Sequence, residues 1–159
     1  MTQWVIATEP VDQPESAAVL RSYFTDIVGR YYGREATAAE VDTALVDEPG
    51  ADLEPPTGVF LLARQDGVVG GCVGVRVASP GIGLLTKVYV LPHARRQGVA
   101  ARMLEAAEDT ARGMGLGIMR LEVRADLVEA RALYVRSGYK EVEPFSDDIY
   151  ADYWFEKAL

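Results

Sequence analysis

The segment from Lys87 to Arg102 constrains the fold most strongly, because it combines a strand pattern, a short basic loop and the start of a helical pattern. Val88–Val90 are typical strand residues, and Pro92 cannot donate to a sheet ladder, so a strand should end near Leu91. Helical spacing begins after Gly98. The segment carries four basic side chains and no acidic one, although the chain has a formal net charge of −8. Free backbone N–H groups and the helix dipole favour an anion at such a helix start, so the segment predicts a phosphate site.

Length and residue content favour one soluble domain spanning residues 1–159. The chain is 49% hydrophobic and 25% charged, and it is long enough to bury a substantial core. No apolar run approaches the roughly 18 residues of a membrane span. The N-terminus lacks the basic and long apolar regions of a signal peptide. A single cysteine excludes an internal disulfide, so we expect a reducing, cytoplasmic location.

The residue content also excludes several kinds of site and partner. Cys72 is the one cysteine and His93 the one histidine, which excludes cysteine-cluster and histidine-rich metal sites and disfavours a Ser-His-Asp triad. We therefore expect no metal. The acidic balance argues against nucleic acid and anionic membranes as partners, and it is compatible with cationic small substrates.

Hydrophobic periodicity predicts seven strands and four helices in the order β-α-α-β-β-β-α-β-α-β-β. The predicted strands are Trp4–Thr8, Gly58–Arg64, Val68–Val77, Gly83–Leu91, Ile118–Val123, Tyr139–Val142 and Asp152–Lys157. The predicted helices begin at Glu15, Thr37, Gly98 and Leu127. This order indicates an α/β (α+β) fold with a mixed sheet.

Local patterns add five expectations. Thr37 should form a capping box with Glu40, and Asp126 should cap the fourth helix. Glu108 should lie in solvent and pair with Arg112 one helical turn later. Residues 47–57, with three prolines and four acids, should form an exposed, mobile loop. The aromatic last strand should lie at a sheet edge, where it could support a homodimer.

Two sequence blocks resemble the GCN5-related N-acetyltransferase (GNAT) family, whose members use acetyl-CoA. The family motif Arg/Gln-x-x-Gly-x-Gly/Ala appears at residues 95–100 as Arg-Arg-Gln-Gly-Val-Ala, after the strand Val-Tyr-Val-Leu-Pro. The block Ala-x-x-Leu-Tyr-x-x-x-Gly-Tyr appears at residues 130–139. Both blocks occur in the family's order, with a predicted strand between them. The resemblance covers residues 58–159 clearly and residues 1–57 loosely.

The resemblance implies a GNAT fold, a mostly antiparallel sheet of about seven strands flanked by about four helices, with two central strands splayed apart. Acetyl-CoA would bind in that opening. Its pyrophosphate would accept hydrogen bonds from five backbone N–H groups and two guanidinium groups. The backbone donors are Gln97, Gly98, Val99, Ala100 and Ala101, and the guanidinium groups are those of Arg95 and Arg96. The pantetheine arm would pair with the backbone near Val88 and Val90, and an N–H near Tyr89 or Val90 would polarise the thioester carbonyl.

The second block implies Tyr134 as the general acid that protonates the leaving CoA thiolate. The base is open. Many relatives carry Glu where this chain has Leu84, so Glu122 on the next strand and a water relay are both candidates. The family often has Asn where Leu127 stands, which removes one expected pantetheine contact.

The sequence therefore predicts an acetyl-CoA-dependent N-acetyltransferase that acts on a primary amine of a small molecule or peptide by direct transfer. One alternative is a non-catalytic acyl-CoA-binding or sensing module, because Leu84 replaces the usual base. Another is a nucleotide-binding protein that uses the same loop, although the chain lacks a Gly-Lys-Ser/Thr phosphate loop.

Overall fold

The structure, a computed structural model, describes residues 3–159 as one seven-stranded sheet in the order β1-β2-β3-β4-β5-β7-β6 with four α-helices. The strands are β1 (Val5–Thr8), β2 (Gly58–Gln65), β3 (Val68–Ser79), β4 (Ile82–Val90), β5 (Ile118–Val123), β6 (Lys140–Val142) and β7 (Tyr153–Ala158). The helices are α1 (Pro14–Tyr32), α2 (Ala38–Asp47), α3 (Val99–Gly113) and α4 (Val128–Arg136). Every strand pair is antiparallel except β4 with β5. The predicted element order and mixed sheet are confirmed.

The two central strands, β4 and β5, pair over only part of their length. Ile82–Leu84 pair in parallel with Ile118–Arg120, and no later pairing between the two strands occurs among the described residues. β4 continues to Val90 and β5 to Val123, so the sheet opens between their carboxyl ends. This is the splay that the resemblance implied.

A bulge on β4 lies at the start of this opening. Cys72 pairs with Tyr89 and Gly74 with Thr86, so Lys87 and Val88 together oppose a single residue of β3. Lys87 has φ 55°, a left-handed conformation that a non-glycine residue seldom adopts. The extra residue shifts the alternation of side chains, and it thereby decides which β4 side chains face each side of the sheet.

Side chains are buried on both faces of the sheet. The main core lies against α3 and α4, and the second core lies against α1. β2 shows the division, since Leu61 contributes to the main core while Phe60 and Leu62 contribute to the second. The second core comprises Val11, Val19, Leu20, Leu53, Phe60, Leu62 and Cys72. The helices therefore cover the sheet from both sides and leave the β4–β5 opening between them.

The expected exposure of Glu108 is wrong. This side chain of α3 is 3% exposed, and its carboxylate accepts hydrogen bonds from Tyr139 Oη at 3.0 Å and Lys157 Nζ at 2.8 Å. Arg112 pairs instead with Asp109 at 2.6 Å. The spacing of α3 could not show this, because both partners of Glu108 come from distant parts of the chain.

Two smaller expectations also need correction. β7 lies between β5 and β6, so the edges of the sheet are β1 and β6 and not the last strand. Leu127 and not Asp126 is the N-cap of α4, while Asp126 pairs with Arg124 at 2.9 Å. The segment 47–57 is largely exposed, as expected, and it is anchored by Leu53, which is 1% exposed within the second core.

The predicted capping box is confirmed, since Thr37 and Glu40 form it at the start of α2. Cys72 is buried and forms no disulfide. Among residues 3–159, none of the helices combines the length and apolar content that a membrane crossing requires.

Replacing Glu108 by Ala should lower the free energy of unfolding by about 3 kcal/mol, because it leaves a lysine and a tyrosine without their buried acceptor. Urea unfolding monitored by circular dichroism measures this. Glu105→Ala, at an exposed site of the same helix, is the matched control and should change stability by less than about 0.5 kcal/mol. Equal effects of the two substitutions would contradict the assigned network.

Candidate active site

The carboxyl end of β4 and the N-terminus of α3 lie beside the opening of the sheet, and α4 follows the strand on its other side, β5. The chain leaves β4 after Val90, passes through a short 3-10 turn at Pro92–Ala94, and enters α3 at Val99. Pro92 ends the strand as predicted, since it has no N–H for the ladder. The predicted strand, basic loop and helix thus form one continuous structural unit.

The loop before α3 has an unusual backbone. Arg96 and Gly98 have φ 63° and 74°, and Gly98 is the N-cap of α3. The N–H of Arg102 donates to the Gly98 carbonyl at 3.3 Å. The earlier N–H groups of the helix, from Val99 to Ala101, therefore have no carbonyl partner within it. They form a cluster of free donors at the positive end of the helix dipole.

The two arginines of the loop are placed differently. Arg95 Nε donates to the Val90 carbonyl at 3.0 Å, and its guanidinium lies 5.8 Å from the Tyr89 ring centroid. Arg95 thus connects the loop to the end of β4. Arg96 is exposed and makes no hydrogen bond or ion pair among residues 3–159. Arg96 and the outer nitrogens of Arg95 are therefore available to an anion. Gln97 lies between Arg96 and Gly98, the two residues with left-handed backbone.

The backbone of β4 presents donors to the opening. Leu91 N–H donates to Gly70 on the β3 side at 2.8 Å. Because successive N–H groups of a strand point to opposite edges, the N–H groups of Val90 and Val88 face the opening towards β5. The side chains of Val88 and Val90 pack against the main core, and Tyr89 packs against the second core. The opening is thus lined by backbone polar groups of β4.

Tyr134 lies on α4, with its ring packed against those of Tyr139 and Phe155 at centroid distances of 6.0 and 6.4 Å. The side chain is 7% exposed, and its burial raises the pKa of Tyr134. Its hydroxyl has no hydrogen-bond partner within the described chain. Among described residues that are not exposed, Arg131 Nε alone is a side-chain polar atom that is both fully buried and without a partner. Because the Tyr134 hydroxyl also has no partner, it cannot be fully buried, and it therefore reaches accessible surface. It can therefore donate a hydrogen bond to a ligand.

Glu122 lies on β5 and is half-buried. Met119, Leu121 and Val123 of the same strand face the main core, so Glu122 points to the opposite, α1 side. Its carboxylate accepts a hydrogen bond from Ser146 Oγ, which in turn accepts one from Trp154 Nε1 at 3.0 Å. Ser146 and Trp154 therefore orient the Glu122 carboxylate, and no sequence pattern links either residue to Glu122.

The face of the opening towards α1 carries an aromatic wall that the sequence motifs did not reveal. Tyr23 of α1 lies 5.9 Å from Tyr89 and 5.0 Å from Phe24, measured between ring centroids. Burial, and next the charge of Glu48, raise the pKa of Tyr23. Lys87 extends over the Phe24 ring, with its ammonium 5.6 Å from the centroid. In the sequence, the one sign of this wall is Lys87, a charged residue inside the largely apolar strand β4.

The two departures from the family pattern lie beside the opening. Leu84 is half-buried and is the last β4 residue that pairs with β5. Leu127 caps α4 without a side-chain hydrogen bond. Neither side chain can exchange a proton or donate a hydrogen bond.

Comparison with known families and sequences was made over the whole chain. The sequence model of the family described as "Acetyltransferase (GNAT) family" matches residues 21–139. The "IAA acetyltransferase" of Azospirillum brasilense is 35% identical over 94 residues, which are 58% of this chain and 61% of that protein. The match therefore spans less than two thirds of that relative. An uncharacterized N-acetyltransferase of Escherichia coli, YjgM, is 30% identical, with 83% of this chain and 78% of that protein covered.

A solved structure shares the fold. The crystal structure of the PaiA N-acetyltransferase from Thermoplasma acidophilum in complex with coenzyme A superimposes with a TM-score of 0.75 at 17% identity. The superposition covers 99% of each chain. At this identity the similarity concerns the fold, including the seven-stranded mixed sheet.

Replacing Gly98 by Ala should weaken coenzyme A binding at least tenfold, because its added Cβ would stand where the backbone must approach the phosphates. The left-handed backbone would also cost about 1–2 kcal/mol of stability. Gly115→Ala is the matched control, since Gly115 has φ 82° and, like Gly98, open space around its Cβ position. Urea unfolding should show a similar loss of stability in both variants, and calorimetric titration should show weakened binding in Gly98→Ala alone. Equal affinities would contradict the predicted phosphate site.

Proposed function

We propose that this chain, which belongs to the acetyltransferase (GNAT) family, transfers the acetyl group of acetyl-CoA to a primary amine of a small molecule or peptide. The observation that carries the proposal is the opening between β4 and β5, which lies directly beside the free N-terminus of α3. One ligand can therefore bind with its phosphates at the helix and an extended arm along β4.

The phosphate end of acetyl-CoA fits the loop at residues 95–101. The free N–H groups from Val99 to Ala101 supply donors, and Gly98 allows close approach of the backbone. Arg96 supplies a cation without a partner in the described chain, and Arg95 supplies a second one. Because the whole chain has a formal net charge of −8, this local positive charge directs an anionic ligand to the loop and not to the rest of the surface.

The pantetheine arm would extend β4 as an added strand, accepting hydrogen bonds from the N–H groups of Val88 and Val90. The thioester would then lie in the opening, with the Val90 N–H as the donor that polarises its carbonyl. When an amine attacks the carbonyl carbon, negative charge develops on the oxygen, and a fixed backbone donor stabilises that charge.

Collapse of the tetrahedral intermediate breaks the C–S bond and releases the CoA thiolate. Tyr134 is the proposed general acid, because its hydroxyl is unpartnered within residues 3–159 and reaches accessible surface. Its raised pKa keeps it protonated at neutral pH, so that it acts as a donor and not as a base. The ordinary pKa of a thiol, near 8.5, lies below that of tyrosine. The hydroxyl therefore acts mainly by stabilising the developing thiolate.

The attacking amine must lose a proton, and Glu122 is the proposed base, directly or through a water. Its carboxylate lies on the α1 side of the sheet, beyond the last residue pair of β4 and β5. Ser146 holds one of its oxygens and leaves the other available. This arrangement supports direct transfer within a ternary complex. We place the reaction in the cytoplasm, where an unpaired buried cysteine such as Cys72 stays reduced.

The second candidate is an acyl-CoA-binding module without turnover. The half-buried Leu84 supports it, because no carboxylate occupies that position at the start of the opening. Tight calorimetric binding of acetyl-CoA without acetylation of any amine in a broad panel would favour this candidate. Absence of any binding of acetyl-CoA or CoA would overturn both candidates.

Tyr134→Phe should lower kcat at least tenfold while the Kd of acetyl-CoA stays unchanged, because the ring remains and only the proton donor is lost. Release of CoA thiol with an accepted amine gives kcat, and calorimetry gives Kd. Tyr32→Phe, at an exposed tyrosine at the end of α1, is the control and should leave both constants unchanged. An unaltered kcat in Tyr134→Phe would remove the tyrosine from the mechanism.

A further inference from the structure

We propose that the ammonium group of Lys87 binds a carboxylate of the acceptor, so that this chain acetylates amines that also carry an acidic group. The inference rests on the proposed acetyl transfer and specifies its acceptor. It is based on a buried cation that no anion of the described chain neutralises, located beside the opening of the sheet.

Lys87 is 5% exposed, and its carbonyl accepts a hydrogen bond from Cys72 Sγ at 3.2 Å, yet its ammonium makes no hydrogen bond and no ion pair among residues 3–159. Its ammonium contacts the face of Phe24, with 5.6 Å between the nitrogen and the ring centroid. The ammonium nitrogen has no hydrogen-bond partner in the described chain, but it is not fully buried, so it reaches accessible surface. The ammonium of Lys87 therefore has no anionic partner in the described chain and can be reached from the surface.

The charged and titratable groups around Lys87 do not supply its counterion. Asp52 is already engaged by Arg76, which donates to both of its carboxylate oxygens. Glu48 is exposed at the end of α2 and does not come within ion-pair distance of Lys87. Cys72 is neutral, since burial raises the pKa of its thiol to about 12. Tyr23, whose pKa burial also raises, is neutral as well.

An unpaired cation in a low-dielectric site is unfavourable unless an anion accompanies it. The cation–π contact with Phe24 offsets part of this cost. Burial lowers the pKa of Lys87, and the charges of Glu48 and Asp52 offset this only in part. A carboxylate on the acceptor would give the ammonium an ion-pair partner.

The position of Lys87 connects this anion site to the transfer reaction. The bulge turns Lys87 towards α1, and two of the next three residues of the same strand, Val88 and Val90, carry the N–H groups that line the opening. At about 3.3 Å per strand residue, roughly 10 Å of backbone separates Lys87 from Val90, whose N–H is the proposed carbonyl donor. One small acceptor can span this distance, with its carboxylate at Lys87 and its amine at the thioester.

The test compares acceptors that differ only in the acidic group: the L-amino acids and glycyl dipeptides against their C-terminal carboxamides. Release of CoA thiol gives kcat/KM for the wild type, Lys87→Met, Lys87→Arg and the control Lys140→Met, whose lysine is exposed on β6. We expect the wild type to prefer an acid over its amide at least tenfold. Lys87→Met should reduce this ratio to about one, mainly through KM, while Lys87→Arg retains a preference and Lys140→Met matches the wild type.

Two further readouts separate binding from a structural role. The Kd of acetyl-CoA should be unchanged in Lys87→Met. Its thermal midpoint should be equal to or higher than that of the wild type, because the substitution removes an unpaired buried charge. If Lys87→Met does not fold, Lys87→Gln replaces it in the comparison with Lys87→Arg.

Several results would overturn the inference. Equal wild-type rates with acids and amides, or an unchanged ratio in Lys87→Met, would remove the carboxylate site and leave the acetyltransferase proposal intact. Loss of kcat with every acceptor, together with loss of the acidic limb of the pH profile, would make Lys87 a base instead. Binding of acetyl-CoA without acetylation of any amine would overturn the proposed function itself.

Discussion

The incomplete pairing of β4 with β5 is the constraint on which the rest of the structure depends. After three residue pairs the strands separate, and a sheet interior would normally not leave backbone groups unpaired in this way. The bulge at Lys87 accompanies the separation by bending and twisting β4. Helices on both faces of the sheet hold the opening in place, so it is available to a ligand that can complete the missing hydrogen bonds.

The two ends of the opening differ in charge and chemistry. Towards α3, free helix N–H groups and two arginines create a local positive site in an acidic chain. Towards α1, Tyr23 packs against Tyr89, and the buried ammonium of Lys87 lies over the ring of Phe24. Glu122 lies on β5 beyond its last pair with β4, and Tyr134 lies on the helix that follows β5. We propose that the cofactor binds at the α3 end and the acceptor at the α1 end, with Glu122 and Tyr134 serving the chemical step.

The sequence predicted those parts of the fold that depend on local chemistry. Strand residues, Pro92 and Gly98 defined β4, its end and the start of α3, and the Thr37 capping box defined α2. It failed where distant residues decide the outcome. Glu108 looked exposed on its own helix because Tyr139 and Lys157 approach it from elsewhere. β7 looked like an edge because strand order is set by the path of the whole chain.

The same distinction applies to the candidate site. The family motifs pointed to the loop at residues 95–101 and to Tyr134. No motif indicated the bulge at Lys87, the left-handed backbone of Arg96 or the hydrogen bond from Ser146 to Glu122. A one-residue bulge leaves no periodic signal in nine strand residues. The aromatic wall depends on α1 packing beside β4, and no local pattern encodes that contact.

Amide hydrogen exchange with and without saturating acetyl-CoA tests the central claim most directly, because the cofactor must complete the hydrogen bonds that β5 leaves open. We predict strong protection of the Val88 and Val90 amides and of residues 97–101, with unchanged exchange in the edge strands β1 and β6. Saturation without protection of β4, or protection confined to another surface, would contradict the assignment of this opening as the acetyl-CoA site.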